Sequence, residues 1–124
     1  MLTNVDAVPN LAVKDVKAAS RFYEDTLGLT RVGAEGDKLI AYRSGGTLLY
    51  VYRSNEAGTN RATAVTWTVG DLDAEVRTLK QKGVSFEHYD LPGLRLQGDI
   101  HVGGDMKVAW FKDPDGNILS LASR

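Results

Sequence analysis

The chain has 124 residues, enough for one domain that buries roughly two thirds of its unfolded surface. It contains no Cys, which excludes thiolate catalysis, Cys-ligated zinc and disulfides. A formal charge of −1, from 15 basic and 16 acidic residues, gives no electrostatic footprint for nucleic acid or an anionic membrane. No apolar run nears the roughly 20 residues of a membrane span and no signal pattern opens the chain, so a soluble, cytoplasmic protein is expected.

Residues 5–13 read as a strand, with Pro9 marking an edge or break near its start. Asp15 sits where a helix N-cap belongs, and Val16, Ala19, Tyr23 and Leu27 then fall on one helical face that stops at Gly28. Leu39–Arg43 and Thr47–Arg53 are β-type runs joined across Ser44-Gly45-Gly46, which predicts a hairpin. A polar loop over 55–61 follows.

The plan then repeats. Residues 62–69 form a β-branched strand, Asp71 caps a helix with Leu72, Val76 and Leu79 as its apolar stripe, and Gly83 ends it. Residues 84–89 read as a strand, Pro92-Gly93 as a turn and 99–105 as a Gly-containing loop. Lys107–Lys112 and Asn117–Ala122 close the chain as a hairpin around 113–116. Val13-Lys14-Asp15-Val16-Lys17-Ala18-Ala19-Ser20-Arg21 is echoed 56 positions later by Val69-Gly70-Asp71-Leu72-Asp73-Ala74-Glu75-Val76-Arg77. A period that long is one supersecondary unit, which cannot bury its apolar face alone.

Three stretches carry a family resemblance: Val13-Lys14-Asp15…Phe22-Tyr23…Leu27-Gly28-Leu29, Val69-Gly70-Asp71…Leu79…Gly83-Val84, and Phe111-Lys112-Asp113-Pro114-Asp115-Gly116-Asn117. In this order the chain resembles the vicinal oxygen chelate superfamily, which includes glyoxalase I, bleomycin-resistance proteins and extradiol dioxygenases. The resemblance implies an α+β fold, with two βαβββ modules forming curled mixed sheets around a central cleft. Residues 1–124 would be a single such domain, module one about 1–56 and module two about 62–124. It also implies a homodimer.

Metal-using members place His and Glu in the cleft. By the resemblance, the matching positions here are Val8, Ala64 and Ser120, with a fourth near Tyr50. Val and Ala offer no ligand atom, and a neutral hydroxyl or phenol is a poor first choice for Zn, Fe, Ni or Mn. No metal and no other cofactor is therefore expected there. The 113–117 turn lacks the closing Glu of a calcium loop, and Gly45-Gly46 and Gly103-Gly104 lack the Lys that a phosphate loop needs.

Strand alternation then fixes which side chains line the cleft. With Val8 inward, Asn10 follows; with Ala64 inward, Thr66 follows. A four-residue turn at 113–116 would pair Phe111 with Ile118 and Ala109 with Ser120, turning Phe111 and Ser120 inward and Trp110 away. The first hairpin sets Arg43, Ala41 and Leu39 beside Leu48, Tyr50 and Tyr52. The expected ligand-binding set is Asn10, Arg43, Tyr50, Tyr52, Ala64, Thr66, His88, His101, Phe111 and Ser120. Its mix of aromatic, small and neutral polar groups suits a small, partly apolar or aromatic molecule.

His88 and His101 lie thirteen positions apart without H-x-x-x-H spacing, and read as hydrogen-bonding residues on a strand and a loop respectively. The alternative turns one of them into the cleft as a ligand contact or base. Three functions follow: a binding module; an enzyme using Tyr50, Tyr52, His88 or His101 as acid or base; or a metal-dependent lyase or dioxygenase with ligands relocated to His88, His101 and Asp99 or Asp105. No catalytic residue is assigned.

Overall fold

The computed structural model describes residues 1–123; Arg124, the end of the second expected module, lies outside the described residues. The chain forms two compact units, Met1–Thr59 and Asn60 onward, divided within the polar 55–61 loop.

The first unit runs β1 (Asn10–Val13), α1 (Val16–Ser20), a π-helical continuation (Arg21–Thr26), β2 (Thr30–Glu35), β3 (Leu39–Ser44) and β4 (Thr47–Arg53). The sheet order is β1-β4-β3-β2, with β1 parallel to β4 and the other pairs antiparallel. The first strand is shorter than the apolar pattern predicts, starting at Asn10 rather than at residue 5. Pro9 has no N–H for a ladder and contributes only its carbonyl, which accepts the Tyr50 N–H at 2.9 Å.

Asp15 caps α1 as its position predicts. Its Oδ1 accepts the N–H groups of Lys17 at 2.9 Å and Ala18 at 3.3 Å, a cap that contributes about 0.5–2 kcal/mol. Val16, Ala19 and Tyr23 are buried as a stripe. After Ser20 the helix widens, and the Leu27 N–H reaches the Phe22 carbonyl at 2.9 Å. Gly28, at φ 75°, then lets the Leu29 N–H turn back to the Tyr23 carbonyl, which ends the helix.

The second unit runs β5 (Thr63–Val69), α2 (Leu72–Gln81), β6 (Phe86–Glu87), β7 (Arg95–Gln97), β8 (Ile100–Gly103), β9 (Met106–Lys112) and β10 (Ile118–Ser123). Its order is β5-β10-β9-β8-β7, with β6 also paired to β9. The parallel pair β5–β10 repeats β1–β4. The architecture is α+β, two mixed sheets, neither closed. Two local expectations are corrected. The 99–105 segment is not a loop, because Ile100–Gly103 pairs with both β7 and β9 and only its end turns. The strand expected over 84–89 shrinks to Phe86–Glu87.

In each unit the helix packs on one sheet face, α1 against β4 and α2 against β9 and β10. Tyr42, Val51 and Leu11 fill that side of the first unit; Phe111, Leu119 and Ala109 fill it in the second. Fully burying such a side chain contributes about 1.5–3 kcal/mol. The opposite faces carry the candidate site residues.

Candidate functional site

On the first unit the predicted alternation holds residue for residue. Arg43 faces Leu48, Ala41 faces Tyr50 and Leu39 faces Tyr52, while Asn10 pairs with Tyr50 from the other side. Tyr50 and Tyr52 are half-buried on the side away from α1; Asn10 and Arg43 are exposed. Asn10 Nδ2 donates to the Val8 carbonyl at 2.9 Å. The structure thus joins Asn10, Tyr50, Tyr52 and Arg43 on one face.

On the second unit the alternation fails by one residue. Lys112 pairs with Ile118, not Asn117, so Ser120 faces Trp110 and Phe111 faces Leu119. The turn is five residues long because Asp113 organises it. Its Oδ1 accepts the N–H of Asp115 at 3.0 Å and of Asn117 at 2.8 Å, and its Oδ2 accepts Asn117 Nδ2 at 2.8 Å. Asn117 is therefore a turn residue. A one-residue slip moves every side chain to the other face. Phe111 is corrected from a cleft residue to a helix-side core residue, fully buried and packed edge-on to Phe86 at 5.6 Å. Trp110 takes the place expected for it.

Ser120 and Thr66 do share that face, and their hydroxyls lie 2.8 Å apart. Ala64 sits at a bulge, since Thr63 pairs with Ile118 and Val65 with Leu119. A buried Ser already bonded to Thr, a bulged Ala and an aliphatic Val8 do not fit a divalent ion. The relocated set fares no better. Among the described residues no three His, Asp or Glu side chains group as metal ligands.

The histidines exchange the settings the sequence suggests. His88 lies beyond β6, exposed, with Nε2 2.8 Å from Asp99 Oδ1, while Lys80 Nζ holds Asp99 Oδ2 at 2.7 Å. Hydrogen bonds from Lys80 first, then His88, hold the Asp99 carboxyl below its ordinary pKa. His101 lies on strand β8, not in a loop, and is 1% exposed. Its Nε2 accepts the Tyr89 backbone N–H at 2.9 Å. An imidazole that accepts at Nε2 carries its proton at Nδ1, and Nδ1 is buried without a partner.

His101 anchors an aromatic group. Its ring meets Trp110 edge-on at 4.8 Å, and Tyr89 meets Trp110 edge-on at 5.3 Å. Trp110 Nε1 donates to Thr63 Oγ1 at 3.0 Å, which fixes the indole. The Tyr89 hydroxyl is buried and unpartnered, and burial, then the Glu87 charge, raises its pKa, so it stays a neutral donor. Beside this group lies a cavity of about 280 Å³ lined by Arg61, Ala62, Thr63, Tyr89, Leu91, Trp110 and Ile118. None of these was an expected site residue. Counting Asn117 as part of the turn would have revealed Trp110; Tyr89 was expected at the end of a strand over 84–89 that in fact stops at Glu87, and Leu91 comes from irregular chain with no periodic signal.

The chain matches the family model described as the Glyoxalase/Bleomycin resistance protein/Dioxygenase superfamily over residues 6–121, and it belongs to that superfamily. No curated protein matches it in sequence. Among solved structures, it is similar to the bleomycin-binding protein from bleomycin-producing Streptomyces verticillus, complexed with copper(II)-bleomycin. That protein is 25% identical, with 100% of this chain and 99% of the other covered and a TM-score of 0.71. The fosfomycin resistance protein FosX from Listeria monocytogenes, complexed with Mn(II) and sulfate, is 15% identical, with 99% and 91% covered and a TM-score of 0.73. Lactoylglutathione lyase from Agrobacterium tumefaciens is 18% identical, with 97% and 93% covered and a TM-score of 0.71. These last two likenesses show the fold alone.

Proposed function

We propose that this superfamily member binds a small, partly apolar or aromatic organic molecule and does so without a metal. The observation that carries the reading is the Trp110 cavity. Two aromatic rings and three aliphatic side chains wall it, and only Arg61 and Thr63 add polar side chains besides the Tyr89 hydroxyl and the indole N–H, the make-up of a site for an organic ligand. The Streptomyces verticillus relative, whose structure holds copper(II)-bleomycin, supports the same class of function. Tyr50 and Tyr52 are proposed as a stacking surface of the first unit, with Asn10 and Arg43 as its polar contacts. Thr66 and Ser120 are proposed as neutral polar contacts of the second. The chain is further proposed to form a homodimer. Leu48, Leu96 and Met106 are exposed, and β2 ends its sheet with six exposed residues, an edge that a second copy would cover.

Native mass spectrometry of protein purified from its own host tests all three parts. The expected spectrum is a dimer carrying a small molecule and no stoichiometric metal, with the small molecule lost from Trp110→Ala. A ligand-free wild type that also fails to bind a panel of fused-ring aromatics by calorimetry overturns the binding function. One metal per chain overturns metal independence, and a monomer at micromolar concentration overturns the dimer.

A second reading, acid–base catalysis without a metal, has the His88–Asp99 pair in its favour, since a carboxylate at Nε2 orients the ring and leaves Nδ1 as the base. Chemical conversion of the bound molecule, abolished in His88→Gln, would select it over simple binding.

A further inference from the structure

The cavity also indicates what charge its occupant carries. Arg61 is the one charged residue in its lining. Among the described residues, Asp and Glu pair with Arg31, Arg53, Lys80, His88 and Lys112, and Arg61 is in none of these pairs. No carboxylate lines the cavity to neutralise it. Among the described residues, the buried side-chain polar atoms left without partners are Tyr89 Oη and His101 Nδ1; Tyr89 lines the cavity, His101 packs against the Trp110 that does, and both atoms carry a proton to donate. Glu87 faces Trp110 across β6–β9, but its carboxylate is held by Lys112 at 3.5 Å and is not in the lining, so the charge left unpaired at the cavity itself is the Arg61 cation.

We propose that the Trp110 cavity takes a planar aromatic monoanion, an aryl carboxylate or phenolate, with its ring against Trp110 and Tyr89 and its anionic group toward Arg61. The proposal rests on the binding function above and adds the charge of the ligand. A volume of about 280 Å³ lies near the lower end of the roughly 300–1,000 Å³ typical of ligand pockets, which favours one fused-ring system over a large molecule. Thr63 already receives the indole N–H, so the indole offers the ligand its ring faces and edges and not its donor. Recognition of the ring then comes from stacking, and recognition of charge from the guanidinium.

The probes are naphthoate and its neutral carboxamide, which share the ring and differ in charge. Binding is read by calorimetry and by Trp110 fluorescence in a Trp67→Phe background. Naphthoate should bind about fivefold tighter than the carboxamide, the upper range for an exposed charge pair, and the advantage should shrink as salt is raised. Arg61→Gln should bring the two probes to equal affinity, and Arg61→Lys should restore part of the difference. Equal binding of both probes to wild type, or a preference that survives Arg61→Gln, overturns the anion assignment while leaving the binding function standing. Failure of both probes to bind or to change Trp110 fluorescence overturns both.

Discussion

Both units place a helix on one side of a sheet whose first strand runs parallel to its last; the units differ on the other side. In the first, that face is a half-buried row of Tyr50, Tyr52 and Ala41. In the second, a buried histidine, a fixed indole and a buried tyrosine hydroxyl occupy it, the histidine Nδ1 and the hydroxyl both unpartnered. The difference starts in the turns. Ser44 pairs with Thr47 across two glycines, so the first hairpin keeps simple parity, whereas Asp113 and Asn117 close a five-residue turn that reverses it. A repeat of topology is thus no repeat of surface, because one extra turn residue exchanges core and site.

The sharpest way to break this comparison is to truncate neighbours on opposite faces. Phe111→Ala should cost about 3–5 kcal/mol in urea denaturation, as should Tyr23→Ala in the first unit, because both rings are fully buried. Trp110→Ala, on a half-buried ring, should cost clearly less stability while weakening aromatic ligands. If Trp110→Ala were the more destabilising of the two neighbours, the five-residue turn and the face assignment would both be wrong.

A smaller effect asks which unit's face carries the ligand. Truncating a stacking aromatic removes about 0.5–1.5 kcal/mol beyond its area, so Tyr50→Ala should weaken about tenfold a ligand that the first unit's face holds, while the protein stays folded. Unchanged affinity in folded Tyr50→Ala would overturn the first unit's face as a binding surface for that ligand.

Legibility in the sequence follows the same divide. The helices were readable because Asp15 and Asp71 cap them and the buried stripes keep helical spacing. The β3–β4 register was readable because a Gly-Gly turn leaves only one way to count. The β7–β8 hairpin was not, since Arg95–Gln97 is wholly exposed and Ile100–Gly103 wholly apolar or His, neither of which alternates. The face opposite α2 was misread because the Asp113 side chain, acting as part of the backbone's hydrogen bonding, hides the turn's length. Arg61 lies on a polar loop where no pattern points, and Tyr89 lies past Glu87, where the strand expected over 84–89 stops.

A last comparison sets side by side two carboxylates that each accept from two side chains, one per unit. Glu24 accepts from Arg31 at 2.6 Å and from the Tyr42 hydroxyl at 2.8 Å; Asp99 accepts from Lys80 and His88. Hydrogen bonding to Arg31, and secondarily to Tyr42, lowers the Glu24 pKa, as Lys80 and His88 lower that of Asp99. A carboxyl whose folded pKa lies below its unfolded value stabilises the fold above the unfolded pKa. That contribution is lost as pH falls through the folded one. Both units should therefore lose these contributions in acid, below the ordinary carboxylate range. They should differ on truncation. Tyr42 is fully buried, so Glu24→Ala strands its hydroxyl and should cost about 1–3 kcal/mol. Lys80 and His88 have side chains 56% and 51% exposed, so in Asp99→Ala water replaces the lost partner and the cost should be about 1 kcal/mol or less. Urea denaturation at neutral and acid pH separates the cases. The gap between the two variants should be present at neutral pH and should narrow in acid, where wild-type Glu24 is itself protonated. Equal losses at neutral pH would show that Tyr42 finds another partner and that burial does not distinguish the two clusters.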